Sequence, residues 1–135
     1  MGLNKAGGIL MLISLFLPAL ILLIDGTYLL IWMFGFAYGN TGGVIGTGFI
    51  PDFVGIIFFI IILIFSILCI AKNAGKTKVF GILSIVFIVI YYIWWFIVGG
   101  IIAIFAAMID VSVLVVPFIG FFGILIGSIL NIAAK

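Results

Sequence analysis

The sequence Lys72-Asn73-Ala74-Gly75-Lys76-Thr77-Lys78 carries three of the five lysines and lies between two long uncharged runs. A lysine at the centre of a bilayer costs about 2.5–3.5 kcal/mol on insertion scales. We therefore expect this segment to lie in water. Because positively charged loops favour the cytoplasmic face, the segment is also expected to set the orientation of both neighbouring runs in a membrane.

The composition indicates that lipid, and not water, is the main solvent. Of 135 residues, 69% are hydrophobic and 6% are charged, and the mean hydropathy is +1.76. Soluble domains are about 45–50% apolar and about 25% charged. We predict an integral membrane protein, and the composition, rich in isoleucine and phenylalanine and free of arginine, suggests a prokaryotic cell membrane. The net charge of +2 gives no indication of a nucleic-acid partner.

The residue types that carry most enzyme chemistry are missing. The chain contains no histidine, arginine or glutamate, and Cys69 is its one cysteine. This composition removes most metal sites, proton relays and acid–base catalysts. We predict a protein that is not an enzyme and that uses no cofactor or metal. Asp25, Asp52 and Asp110 are the remaining acid–base or cation-binding candidates, and we favour their interpretation as solvated groups at span ends.

Uncharged runs of about 20 residues approach the roughly 30 Å thickness of a bilayer core when they are helical. The predicted fold is an all-α antiparallel bundle of four transmembrane helices in one domain, 1–135, with both termini cytoplasmic. The outer loops leave room for a small β element. Pro18 is expected to kink the first span and Gly99-Gly100 to break the third run. The predicted spans are 6–24, 53–71, 79–98 and 117–134, with outer loops at 25–52 and 101–116 and the inner loop at 72–78.

The charges segregate in this topology. All lysines fall on the inner side, as the positive-inside rule requires, and all three aspartates fall on the outer side. We expect the lysines to determine the topology. They are Lys5, Lys72, Lys76, Lys78 and Lys135.

A stripe of small residues runs along the fourth predicted span. Gly120, Gly123 and Gly127 are three and four residues apart, and the last two match the GxxxG pattern. Small residues let helices approach closely in lipid, where packing drives helix association. We favour the interpretation that the stripe packs within this chain. The alternative is an interface with a second copy or with another membrane subunit.

Aromatic residues gather in the predicted outer half of the protein. Trp32, Tyr91, Trp94 and Trp95 are the main members of this cluster. The favoured interpretation is a belt at the lipid interface. The alternative is a pocket for a lipid, a quinone or another apolar ligand, with Trp32 closing over Trp94 and Trp95.

The small polar side chains inside the spans have a structural interpretation. Cys69 is expected to be a small buried hydrophobe, with palmitoylation as the alternative. The serines are expected to bond back to their own helices. They are Ser14, Ser66, Ser84 and Ser128.

The predicted layout resembles claudin-like tetraspan proteins. These proteins have four spans, cytoplasmic termini, a first outer loop rich in β structure, a short inner turn and a smaller second outer loop. In this layout Tyr28–Tyr38 is the candidate strand of the first outer loop and Val111–Val116 that of the second. The family's first-loop hallmark is a tryptophan, then Gly-Leu-Trp and two cysteines. This loop has Trp32 but neither the Gly-Leu-Trp run nor a cysteine.

The function predicted from the sequence is that of a non-enzymatic structural or assembly subunit. Its expected partners are membrane lipid and either further copies of itself or other membrane subunits. The alternatives are an oligomeric channel or transporter for a small or apolar solute, and a lipid-modifying enzyme that would depend on the three aspartates.

Overall fold

The described residues form four helices and an antiparallel sheet, so the prediction of an all-α four-span bundle is wrong. The computed structural model describes residues 2–24, 27–41, 44–49, 53–73, 75–110 and 113–134. The helices are α1 (Leu3–Ser14), α2 (Phe53–Ala71), α3 (Lys78–Ala107) and α4 (Ile119–Ala133). The strands are β1 (Pro18–Ile24), β2 (Thr27–Trp32), β3 (Phe36–Thr41), β4 (Val44–Phe49) and β5 (Val113–Pro117). All neighbours are antiparallel in the order β4-β3-β2-β1-β5.

The first predicted span, 6–24, divides into a helix and a strand. α1 ends at Ser14, and β1 begins at Pro18 after a short turn. Proline has no amide hydrogen to donate and its ring clashes with the preceding helical turn, so the helix does not continue through it. At the first position of a strand the missing donor is tolerated. An apolar run fits a buried strand as well as a helix, and for this reason hydropathy alone led to the wrong element.

The third and fourth predicted spans also differ from the structure. α4 begins at Ile119 and has only 15 residues, because Pro117 belongs to β5. α3 continues through Gly99 and Gly100 for 30 residues, where we expected a break. Glycine inside a helix costs about 1 kcal/mol relative to alanine. Here Gly99 lets β5 approach, since an added Cβ would overlap the side chain of Val115.

Two of the described helices, α2 and α3, are long and apolar enough to cross a membrane. α2 has the bounds of the second predicted span, 53–71. Only 22% of the most apolar window of each helix is buried, whereas the core helix of a soluble protein is mostly buried. Exposed apolar faces of this kind suit contact with lipid. α1 and α4 are also apolar, but at 12 and 15 residues they are too short to be assigned as membrane-crossing helices.

The helices pack as antiparallel neighbours, with α1 against α2 and α4, and α3 against the same two helices. Aromatic rings join α2 to α3. Phe65 of α2 lies 5.9 Å from the rings of both Phe80 and Phe87, and Phe58 lies 6.4 Å from Tyr91. These pairs keep α2 beside the first half of α3, with the two helices running in opposite directions.

The sheet stands at the end of the helical region where α1 ends and α4 begins. The amide of Phe118 donates to Ala19 O at 2.9 Å, and Tyr92 of α3 donates its hydroxyl to Val115 O at 3.3 Å. The proposed strand Tyr28–Tyr38 is instead two strands, β2 and β3, separated by a turn in which Gly35 has a φ of 100°. The proposed strand Val111–Val116 corresponds to β5, and its first two residues lie outside the described residues.

Candidate functional site

Hydrogen bonds bring most of the lysines to one end of the molecule. Asn4 donates its side-chain amide to Cys69 O at 3.1 Å and to Lys72 O at 2.9 Å, while the Thr77 hydroxyl donates to Asn131 O at 3.4 Å. The start of α1, the α2–α3 loop and the end of α4 therefore meet. Lys135 lies outside the described residues. The other four lysines are exposed and surround this end of the molecule, opposite the sheet: Lys5, Lys72, Lys76 and Lys78.

The glycine stripe of α4 faces α1 of the same chain. An added Cβ at Gly127 would lie 2.6 Å from Gly7 O, and one at Gly120 would lie 2.7 Å from Leu17 O. At Gly123 it would overlap Ser14. The two backbones thus approach as closely as small residues permit, which is the way that helices associate in lipid. Because α1 covers the stripe, this face of α4 is not open to a second copy.

Buried polar side chains occupy the same helix crossings. Asn131 donates its side-chain amide to Gly127 O at 3.0 Å and lies 3.7 Å from the sulfur of Met11. Its Oδ1 and the hydroxyl of Ser14 are buried without a hydrogen-bond partner in the part of the chain that is described. Three serines confirm the expected bonds within their own helices, each at 2.7 Å to the carbonyl four residues earlier. They are Ser66, Ser84 and Ser128.

The aromatic residues expected to form one outer cluster lie in different surroundings. Tyr91 and Trp95 are on the buried face of α3, whereas Trp94 is on its exposed face. Trp32 is half-buried, donates its indole N–H to Phe16 O at 3.0 Å and packs edge-on against Phe36 at 5.0 Å. Trp32 therefore supports the junction between the sheet and the end of α1.

The candidate groups for chemistry are few among the described residues. Cys69 is buried, as predicted, and lies beside Gly8 of α1. Asp110 is exposed just after α3 in the left-handed conformation, with a φ of 58°, which aspartate tolerates better than most residues. Asp25 and Asp52 lie outside the described residues. Within the described ranges, no three histidine, cysteine or acidic residues lie where they could hold a metal.

A cleft of about 220 Å³ lies between α3 and β5. Its lining consists only of apolar side chains and glycine. Sequence reasoning did not find this cleft, because it interpreted Gly99-Gly100 as a helix break, whereas the pair removes side-chain volume from a continuous helix. The lining residues are Phe96, Gly99, Gly100, Ala103 and Val113–Val115.

The end of α3 carries a second apolar surface, which we call the α3 tip. α3 has 30 residues and α2 has 19, so if the two start level at their shared loop, α3 extends about 16 Å further at about 1.5 Å per residue. The large side chains here are far more exposed than most apolar residues, with Phe105 at 65% and Ile109 at 74%. The α3 tip consists of Ile104, Phe105, Met108 and Ile109.

In comparisons with known proteins, no family model, curated protein or solved structure matches this chain. The resemblance to claudin-like tetraspan proteins therefore stays a prediction.

Proposed function

We propose that this chain is a structural membrane subunit that self-associates through the α3 tip. In this proposal α2 and α3 cross the membrane, and the sheet lies toward the membrane face opposite the lysines, where β5 packs beside Tyr92 and Gly99 of α3. The integral location, in a prokaryotic cell membrane, is part of the same proposal.

The observation that carries the proposal is the exposure of the α3 tip beyond the length of α2. An α-helix needs about 20 residues to cross a bilayer core of roughly 30 Å. If residues 78–96 of α3 match the 19 residues of α2 in depth, Phe105 and Ile109 lie outside the hydrocarbon region. Large contiguous apolar side chains exposed to water commonly mark a protein–protein contact.

A second copy is the partner that we propose for the α3 tip. The glycine stripe of α4 is covered by α1, whereas the α3 tip presents four large apolar side chains that are 63–75% exposed. Aromatic residues and methionine are enriched at the cores of interfaces, and the α3 tip contains both Phe105 and Met108.

A pair of matched double variants tests this proposal. Phe105→Ala with Ile109→Ala removes two side chains of the α3 tip that are four residues apart. Phe53→Ala with Ile57→Ala makes the same change, at the same spacing, on the exposed face of α2, where the exposed fractions are 73% and 56%. We expect the first pair to separate the copies and the second to leave the assembly intact.

The measurement is native mass spectrometry after gentle extraction with lipid retained. We expect a wild-type mass that is a multiple of 14.6 kDa, and a single 14.6 kDa chain for the variant of the α3 tip. A wild-type protein that is monomeric, or an assembly that survives the substitution at Phe105 and Ile109, would contradict the proposal. A different chain in the complex would show that the partner is another subunit.

A further inference from the structure

We infer that the cleft between α3 and β5 holds the acyl chain of a membrane lipid. The inference rests on the proposed membrane location but not on self-association. It concerns the cleft lined by Phe96, Gly99, Gly100, Ala103 and Val113–Val115.

The chemistry of the lining selects an apolar occupant. None of the lining side chains carries a polar atom, so a polar ligand would lose its hydrogen bonds to water and gain none from these side chains. An acyl chain has no such groups to satisfy. Its methylenes gain about the same transfer free energy in the cleft as in a bilayer, and they gain close packing in addition.

The size of the cleft suits part of one chain. Its volume is about 220 Å³. Such a space is smaller than the pockets of about 300–1,000 Å³ that hold drug-sized ligands. A segment of a single flexible acyl chain fits a space of this volume, whereas a drug-sized ring system needs more room.

The position of the cleft gives a lipid direct access. Phe96 lies within the part of α3 that equals α2 in length, and Ala103 lies beyond it, so the cleft crosses the expected boundary of the hydrocarbon core. Phe96 and Leu114 are exposed at its margin. The exposed apolar surface of the spanning part of α3 is therefore continuous with the opening.

Gly100 offers a way to fill the cleft without disturbing the fold. An added Cβ at Gly100 meets no atom within 4 Å, whereas one at Gly99 overlaps Val115. Gly100→Phe should therefore place a ring in the cleft, with Gly100→Leu as a smaller filler if the first variant does not fold. Gly48→Phe is the matched control, because Gly48 of β4 is also exposed with open space around it.

The experiment uses the full chain in lipid nanodiscs that contain phosphatidylcholine with a diazirine on one acyl chain. After illumination, the labelled peptides are mapped by mass spectrometry. We expect wild-type label to concentrate in residues 96–103 and 113–115. We expect Gly100→Phe to lower that label about tenfold, equivalent to about 1.4 kcal/mol of binding free energy, and Gly48→Phe to leave it unchanged.

Two results would overturn the inference. Label spread over α2 and α3 in proportion to exposure, and equal in all variants, would mean ordinary surrounding lipid only. An unlabelled cleft, together with loss of the oligomer in Gly100→Phe, would mean that a side chain of a second copy fills it. Because the oligomeric mass is measured separately, a labelled cleft in a monomeric protein would contradict the proposed self-association alone.

Discussion

Gly127 and Gly7 allow α4 and α1 to cross with their backbones in contact. Neither glycine is required by a turn or by an unusual φ. Each is required by the space between the helices, because an added Cβ at Gly127 would lie 2.6 Å from both Gly7 O and the Cγ of Met11. Such contacts cannot be relieved by a side-chain rotation when one partner is a backbone oxygen.

We predict that Gly127→Leu destabilises the helical region. Overpacking of this kind typically costs about 1–3 kcal/mol, and the backbone contact to Gly7 places this site toward the upper end. The measurement is thermal unfolding in detergent micelles. Gly100→Leu is the control, since it adds the same side chain to a helix with open space and should leave the midpoint unchanged or raise it. Equal midpoints for both variants would mean that the crossing is not as close as the structure shows.

The buried faces of the helices follow small and polar residues more than large apolar ones. On α3, a buried residue recurs every three or four positions from 81 to 99. Since nearly every residue of this chain is apolar, hydrophobic periodicity carries little information about which face is buried. The spacing of small residues is the remaining sequence signal for the buried face of a helix, and the sequence-based prediction of helix packing rests on it only for α4. The buried residues of α3 in this interval are Gly81, Ser84, Ile88, Tyr91, Trp95 and Gly99.

At the scale of the elements, the contact between α3 and β5 holds the outer edge strand of the sheet against the helices. Among the described strands, β5 lies at the edge of the sheet and pairs with β1. Its other support comes from α3, through Gly99 and through the hydrogen bond from Tyr92 to Val115 O at 3.3 Å. An edge strand covered by a helix is protected from pairing with other chains.

We predict that Gly99→Leu releases β5 while the neighbouring Gly100→Leu does not. The first substitution drives a side chain into Val115, and the second meets no atom within 4 Å. Hydrogen–deuterium exchange of the β5 amides is the readout. Exchange should become faster in Gly99→Leu and stay at the wild-type rate in Gly100→Leu. Equal protection in the two variants would show that α3 does not position β5.

The sheet was the part of the fold that the sequence predicted least well. β1 pairs with β5, for example Ile21 with Val116, two residues that are 95 positions apart in the chain. No local pattern marks such a pairing. A run of leucine and isoleucine reads as a membrane helix wherever lipid is the expected solvent, and only Pro18 indicated that the first run changes its structure.

In the molecule as a whole, the described lysines are separated from the sheet. The four described lysines surround one end of the helical region, and the strands lie at the other. The lysine-rich loop could be placed from the sequence. The position of α2 could be placed as well, because its uniform apolar sequence lies between that loop and the predicted outer loop 25–52. The lengths of α1, α3 and α4 could not, because they depend on where the sheet begins, and the cleft could not, because it depends on β5.

The measurement that tests the proposed arrangement most directly is the sidedness of the two ends. In a Cys69→Ser background, single cysteines are introduced as Lys76→Cys in the α2–α3 loop and as Gly48→Cys on β4, both at exposed positions. A maleimide that does not cross membranes is then added to intact cells. We predict labelling of the cysteine at position 48 in intact cells, and of that at position 76 only after permeabilisation, since positive loops stay inside. Labelling of both positions from the same side would contradict a membrane crossing by α2 and α3.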